Sequence, residues 1–95
     1  MKTYETTIIL NSALEEAALE VEIAKVDKMI ADQQANVVKC ERWGNRRMAY
    51  EIRKKTHGFY IHYVYESKPE LPLLIQESLK INENCLRYMT VVAGS

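Results

Sequence analysis

The stretch FYIHYVYE at residues 59–66 decides how this chain folds. Its odd positions are all large and apolar or aromatic: Phe59, Ile61, Tyr63 and Tyr65. Its even positions mix polar and apolar character: Tyr60, His62 and Val64. Because successive side chains of a strand point to opposite faces, this pattern predicts a β-strand with one apolar and one mixed face. A sheet built from such strands is covered on one side only.

Three further strands are predicted from the rest of the chain, at residues 3–10, 37–54 and 86–93. Gly44 interrupts the long middle strand, where a glycine suits a bulge or a tight bend. Residues 54–58 are predicted to form the hairpin turn that joins this strand to the one at residues 59–66.

Two helices are predicted between these strands. The first is expected to begin at a capping box formed by Ser12 and Glu15 and to continue to about Asp32, with apolar residues recurring at steps of three and four. The second is expected to begin at Pro69 or the residue after it, because Pro72 must lie within the first turn of a helix.

The order strand, helix, strand, strand, helix, strand predicts an α+β fold. The two helices should lie on one face of a four-stranded antiparallel sheet, the ferredoxin-like β-α-β-β-α-β arrangement, in a single domain over residues 1–95. The other face of the sheet and its edges are then the places available for binding.

The charges of the chain balance in number but not in distribution. The 13 Lys and Arg equal the 13 Asp and Glu, and a net charge of zero argues against a protein that holds nucleic acid by bulk electrostatics alone. Residues 37–57 nevertheless carry seven basic and two acidic side chains, whereas residues 11–33 carry six acidic and two basic ones. This segregation predicts one surface for an anionic partner and another that stays in solvent.

Several classes of protein are disfavoured. No apolar stretch approaches the roughly 18 residues of a membrane span, and residues 1–7 contain no apolar signal core, which predicts a cytosolic or organelle-matrix location. Cys40 and Cys85 form no CxxC pair, and His57 and His62 do not complete a zinc site. Both cysteines are expected to be buried, reduced thiols.

Residues 43–53, WGNRRMAYEIR, followed by GFY at residues 58–60, resemble the signature of the bacterial small-subunit ribosomal protein six family. That signature is glycine, any residue, a basic and a polar residue, then L-A-Y-x-I and a basic residue, with a glycine and two aromatics a few positions later. The opening MKTYE and the closing NCLRYMTVV at residues 84–92 are also similar to the family. The resemblance therefore covers nearly the whole chain.

The sequence departs from the family pattern at three places. Met48 stands where leucine is usual, and Glu51 stands where the family often has proline. Many members carry a longer polar C-terminal tail that contacts the partner protein, whereas Ala93-Gly94-Ser95 ends this sequence shortly after the last predicted strand.

The resemblance implies partners as well as a fold. Members pair with small-subunit ribosomal protein eighteen, and the pair binds the central domain of the small-subunit rRNA. The chain is therefore expected to be a structural constituent of the small subunit of the cytoplasmic ribosome. The resemblance implies no enzymatic activity, cofactor, metal, membrane or small-molecule substrate.

Basic and aromatic residues are the candidates for the two interfaces. The residues predicted to contact rRNA are Lys2, Arg87, Lys80 and Lys68. The residues predicted to contact the partner protein are Trp43, Arg46, Arg47, Tyr60 and His62. Arg46 and Arg47 could serve either partner, Tyr60 and His62 could instead stack on unpaired bases, and Trp43 could simply pack at the rim of the sheet. The remaining large residues are assigned to the core: Phe59, Ile61, Tyr63, Tyr4, Ile8 and Tyr50.

Three other functions of the same architecture fit less well. An acylphosphatase-like hydrolase needs a phosphate-cradling loop after the first strand, and the loop Asn11-Ser12-Ala13 has no glycine. A metal carrier would place two cysteines in that loop, which contains none. A ligand-sensing regulatory domain would bind small molecules at glycine-containing loops, which the basic segment at residues 44–55 fits poorly.

Overall fold

A computed structural model describes residues 1–93 of the chain, and Gly94 and Ser95, noted above as the end of the sequence, lie outside the described residues. Six elements follow one another: β1 (Lys2–Asn11), α1 (Glu16–Asp32), β2 (Asn36–Ile52), β3 (Lys55–Ser67), α2 (Glu70–Lys80) and β4 (Cys85–Val92). The strands form one sheet in the order β2-β3-β1-β4, and every neighbouring pair is antiparallel. The predicted ferredoxin-like arrangement is confirmed.

The core lies between the two helices and one face of the sheet. Ile23 of α1 and Ile75 of α2 pack with Ile8 and Ile61 of the central strands, and all four side chains are buried. Tyr65 is completely buried there, and its hydroxyl shares a 2.9 Å hydrogen bond with Thr6. Because a buried hydroxyl without a partner would destabilise the fold, this bond lets a tyrosine occupy the core.

The alternating pattern of residues 59–66 matches the structure. Ile61, Tyr63 and Tyr65 are buried against the helices, whereas Tyr60 and His62 are half-buried on the opposite face, which no helix covers. We refer to this uncovered side of the sheet as the open face.

The first helix starts later than its sequence suggested. The Asn11 side-chain oxygen accepts a 3.0 Å hydrogen bond from the Ala13 backbone N–H, so a turn forms where the capping box was expected. The N-cap residue is Glu15, and no side chain caps the helix. The prediction of a capping box at Ser12 was wrong because the asparagine side chain takes the chain into a turn first.

The hairpin turn between β2 and β3 was also predicted in the wrong place. Ile52 pairs with Lys55, which leaves Arg53 and Lys54 as a two-residue turn with φ of +52° and +64°. Turns of this kind favour Asn-Gly, because both central residues adopt left-handed backbone angles. Arg53 and Lys54 carry long basic side chains, which do not indicate such a turn in the sequence. Residues 55–58, most of the predicted turn, belong to β3 instead.

β2 leaves its regular pairing before this turn. Arg47 pairs with His57 and Ile52 pairs with Lys55, so residues 48–51 stand opposite Thr56 alone. We call residues 48–51 the β2 bulge. It places Met48 in a small second core with Ile9 and Leu86 on the side of the sheet away from the helices.

Two predictions of burial fail as a result of β2's position. Tyr50, assigned to the core, lies in the β2 bulge and is 56% exposed. Cys40, expected to be buried, is exposed on β2, which is an edge strand. Cys85 is buried as predicted, and burial raises the pKa of its thiol to about 11.

Candidate functional site

Three rings and a guanidinium form a stack on the open face. The Trp43 ring lies parallel to the His62 ring, with 5.0 Å between centroids and 12° between planes. It also lies 6.4 Å from the Tyr60 ring at an interplanar angle of 23°. The Arg46 guanidinium lies over Trp43, 5.5 Å from its ring centroid. We call these four residues the Trp43 stack.

The backbone of β2 brings Trp43 to this position. Gly44 adopts a φ of +81°, and the pairing with β3 shifts between Arg42 and Gly44. This bulge is the predicted role of Gly44, because glycine adopts a left-handed backbone without steric penalty. Arg46 donates a further hydrogen bond of 3.3 Å to the Trp43 carbonyl, which holds the arginine over the ring.

The His62 ring is held from both of its nitrogen atoms. Its Nε2 lies 3.2 Å from the Glu5 carboxylate and its Nδ1 lies 2.9 Å from the Thr7 hydroxyl. Since an ionised carboxylate only accepts hydrogen bonds, the neutral ring carries its proton on Nε2 and accepts at Nδ1 from Thr7. These two hydrogen bonds fix the orientation of the imidazole ring, against which the Trp43 ring stacks.

A second feature of the open face lies beside the stack. The β2 bulge and β4 enclose a mostly apolar pocket of about 180 Å³, whose walls include Ile9, Met48 and Met89. At its rim the Arg87 guanidinium lies 5.5 Å from the centroid of the Tyr50 ring. An exposed aromatic residue and an arginine thus flank an apolar depression.

The predicted partner-protein residues are mostly brought together. Trp43, Arg46, Tyr60 and His62 form the Trp43 stack. Arg47 is exposed and pairs with His57 in the sheet, but it is not part of the stack.

The predicted rRNA residues fall into two groups. Lys2 pairs with Ser67 at one end of β1, and Lys68 follows directly at that same end. Arg87 pairs with Ile9, seven residues along β1, or about 23 Å away at 3.3 Å per residue. Lys80 closes α2 shortly before β4 begins, at the Arg87 end of the sheet.

Not all of the basic residues predicted in residues 37–57 are free to meet a partner. Arg42 forms a two-point ion pair with Glu20 of α1, and the hydrogen bond from Arg42 lowers the pKa of the Glu20 carboxyl. Lys39 pairs with Glu41 at 3.3 Å. Within residues 1–93, the basic residues of this region that make no ion pair are Arg46, Arg47, Arg53, Lys54 and Lys55.

Sequence reasoning missed part of this surface. Tyr50 belongs to the open face and not to the core, and Arg53, Lys54 and Lys55 project at the hairpin end of the sheet. Their only sequence signal was the local excess of basic residues. In the part of the chain that the structure describes, no three His, Cys, Asp or Glu side chains are grouped to hold a metal ion. No helix among these residues has the length and apolar character needed to cross a membrane.

Comparison with known proteins agrees with this architecture. The sequence profile of the ribosomal protein S6 family matches residues 3–92. The small ribosomal subunit protein bS6 of Clostridioides difficile (strain 630) is 37% identical over 93 residues, covering 98% of this chain and 100% of that protein. The bS6 protein of Moorella thermoacetica is 32% identical and covers 94% of this chain and 91% of its own length.

A solved structure has the same fold. The crystal structure of 30S ribosomal protein S6 from Thermotoga maritima aligns with a TM-score of 0.89 at 24% identity, over 96% of this chain and 86% of that one. At 24% identity the structural likeness shows the fold alone. The profile match and the relatives at 32% and 37% identity show the family. This chain belongs to the ribosomal protein S6 family.

Proposed function

We propose that this chain binds the central domain of the small-subunit rRNA as one half of a pair with small-subunit ribosomal protein eighteen. Membership of the S6 family makes the chain a structural component of the small subunit of the cytoplasmic ribosome, in a family of structural proteins and not of enzymes. The proposal adds the two partners and the surfaces that meet them.

The Trp43 stack is the observation that carries the proposal. Binding energy at protein interfaces concentrates in tryptophan, tyrosine and arginine side chains that are already held in place. Here a tryptophan, an arginine and a tyrosine meet on a face that no helix covers, over a histidine fixed by two hydrogen bonds. Such a surface suits a protein partner that removes it from water.

Apolar exposure beside the stack supports the same assignment. Met89 and Val91 of β4 are 50% and 51% exposed, and the Met89 side chain lines the apolar pocket described above. Together with the stack they extend an apolar, aromatic surface across the open face from β2 to β4. Extended apolar patches of this kind mark interaction sites more often than plain solvent-facing surface.

The charge of the chain explains why a pair is needed. A neutral protein gains little from releasing the counterions of RNA, so its own affinity for RNA should be low. A basic partner on the open face would add its cations to Arg46, Arg47 and Arg87, and the pair would then present more positive charge than this chain alone.

Co-sedimentation tests the ribosomal assignment and its interface. We expect the tagged wild-type chain, expressed in bacterial cells, to travel with small ribosomal subunits and to retain protein eighteen after salt washing. Trp43→Ala should lose protein eighteen, whereas Leu73→Ala, at an apolar residue of α2 that is more exposed than Trp43, should keep it. Equal retention by both variants would contradict the assignment of the open face to this partner.

A further inference from the structure

We propose that the groove between the β1–α1 turn and the tip of the β2–β3 hairpin binds a phosphate group of the RNA backbone. We call it the hairpin groove, and its lining residues are Asn11, Ser12, Ala13, Lys54, Lys55, Thr56 and His57. The inference rests on the proposed function, since RNA supplies the ligand, and it assigns a contact outside the open face.

Positive charge is the first reason. Lys54 and Lys55 line the groove, no acidic residue does, and neither lysine makes an ion pair within residues 1–93. The adjacent Arg53 donates its guanidinium N–H to the Glu83 carbonyl at 3.1 Å. Within residues 1–93 its guanidinium makes no ion pair with a carboxylate, so it adds a further positive charge at the hairpin end of the sheet. Two unpaired ammonium groups beside a third cation attract an anion.

Neutral donors complete the groove. Thr56 and His57 share a 2.9 Å hydrogen bond between the hydroxyl and Nδ1, in which either atom can be the donor. If the hydroxyl donates to the neutral ring, the Nε2 N–H is left as a donor, and if Nδ1 donates, the hydroxyl hydrogen is left, so the pair offers a donor in both cases. The Ser12 hydroxyl donates to the His57 carbonyl at 3.5 Å, the limit of hydrogen bonding, and can turn to a better acceptor at little cost. Phosphate oxygens accept from lysine, serine and histidine donors of this kind.

The walls of the groove are held in place. The Asn11 N–H donates to the Asn84 carbonyl at 2.8 Å, and its side chain receives the Ala13 N–H at 3.0 Å. The hydrogen bond from Arg53 to the Glu83 carbonyl ties the hairpin tip to the loop between α2 and β4, which also contains Asn84. A ligand therefore meets a groove whose backbone is already ordered, which lowers the entropic cost of binding.

The lining distinguishes RNA from a protein partner. No large apolar or aromatic residue other than the His57 ring lines the groove, in contrast with the Trp43 stack and the apolar pocket. The groove lies at the Arg87 end of the sheet, because Asn11 pairs with Gly58 only two positions beyond the pairing of Ile9 with Arg87. One RNA strand could thus meet Arg87 and the groove along one end of the molecule.

The test uses a variant that removes the charge and spares the fold. Lys54 has a φ of +64°, which asparagine adopts more readily than lysine, so Lys54→Asn with Lys55→Gln should melt no lower than the wild type. The charge-matched control is Lys28→Gln with Lys39→Gln, since these lysines already pair with Asp32 and Glu41. Each chain is mixed with protein eighteen, and the affinity of the pair for a central-domain rRNA fragment is measured from low to high salt.

We expect the hairpin variant to form the pair normally and to bind RNA more weakly, with the slope of log affinity against log salt smaller by about one to two. The control pair should keep the wild-type slope. The inference is overturned if hairpin and control variants behave alike, or if the hairpin variant fails to join protein eighteen, which would make the groove a protein contact. Absence of RNA binding by the wild-type pair would instead overturn the proposed function and remove the ligand of the groove with it.

Discussion

The ring of Trp43 lies flat against the ring of His62, with 5.0 Å between their centroids, on the face of the sheet that carries no helix. Neither residue belongs to the core between sheet and helices, and Trp43 keeps 37% of its surface exposed. The contact restricts the rotamers of both side chains, and hydrogen bonds to Glu5 and Thr7 hold the His62 ring in place. A surface that is rigid before any partner arrives is suited to tight protein binding.

Removing the tryptophan should therefore weaken the pair more than it weakens the fold. We expect Trp43→Ala to lower the affinity for protein eighteen by about 2 kcal/mol, close to thirtyfold, as for a central aromatic residue of an interface. Isothermal titration calorimetry measures this directly. Leu73→Ala on α2 serves as control, and equal affinities for the two variants would exclude the stack as the interface.

The hairpin turn offers a gain in stability. Arg53 and Lys54 both adopt left-handed backbone angles, which cost L-residues other than glycine about 1–2 kcal/mol each and asparagine less. Lys54→Gly, which keeps the hydrogen bond from Arg53 to the Glu83 carbonyl, should raise the free energy of unfolding by up to about 1 kcal/mol after the greater chain entropy of glycine is subtracted. Urea denaturation gives the value, and Lys54→Val should act in the opposite direction. A stabilising valine would contradict the observed turn.

Glu22 should make stability depend on pH. Burial works against ionisation of its carboxyl, but hydrogen bonds from Asn82, Lys25 and Asn84 outweigh burial and lower its pKa below the ordinary 4.5. A lowered pKa in the folded state contributes stability that is present above pH 4.5 and is lost as the pH falls through the folded value. Glu22→Gln should cost about 1–3 kcal/mol near neutral pH, since its amide cannot accept all these bonds.

Denaturation of both proteins between pH 7 and pH 3 checks this prediction. The difference between wild type and Glu22→Gln should shrink as the medium becomes acidic. A difference that stays constant over this range would show that the carboxylate charge has no part in holding α1 to the loop before β4.

The two glycines of the hairpin should respond differently to alanine. A Cβ on Gly58 would meet Ile9 Cγ2 at 2.3 Å, and this clash should cost about 1–3 kcal/mol of stability, as for overpacked cores. A Cβ on Gly44 would meet no atom within 4 Å, so Gly44→Ala should lower the stability by only about 1 kcal/mol, the cost of a left-handed backbone for alanine. It should nevertheless disturb the Trp43 stack, because the bulge at Gly44 positions Trp43. Thermal melting and binding to protein eighteen separate the two effects. A Gly58→Ala protein as stable as wild type would contradict the close approach of β1 to β3.

The parts of the fold that depend on local pattern could be predicted from sequence. The alternation through Tyr63 and Tyr65 predicted both a strand and its buried face, and Pro72 limited the start of the second helix, which begins at Glu70. The turn at Arg53 could not be predicted, because its backbone angles are imposed by the pairing of two long strands and not by turn-forming residues.

The candidate site was only partly predictable for a similar reason. Tyr60 and His62 could be placed on the open face from their alternation, but the contact of Trp43 with them depends on the bulge at Gly44. Tyr50 was misassigned because the β2 bulge takes it out of the regular pairing. The family resemblance, confirmed by the profile match over residues 3–92, supplied what periodicity could not: the ribosomal context.

Binding of RNA by the pair is tested by measuring the affinity of a central-domain rRNA fragment for this chain alone, for protein eighteen alone and for the two together, at several salt concentrations. We expect the pair to bind the fragment at least about tenfold more tightly than either protein, a difference of about 1.4 kcal/mol, and the neutral chain alone to bind it weakly. Tight and strongly salt-dependent binding of RNA by this chain alone, equal to that of the pair, would contradict this expectation.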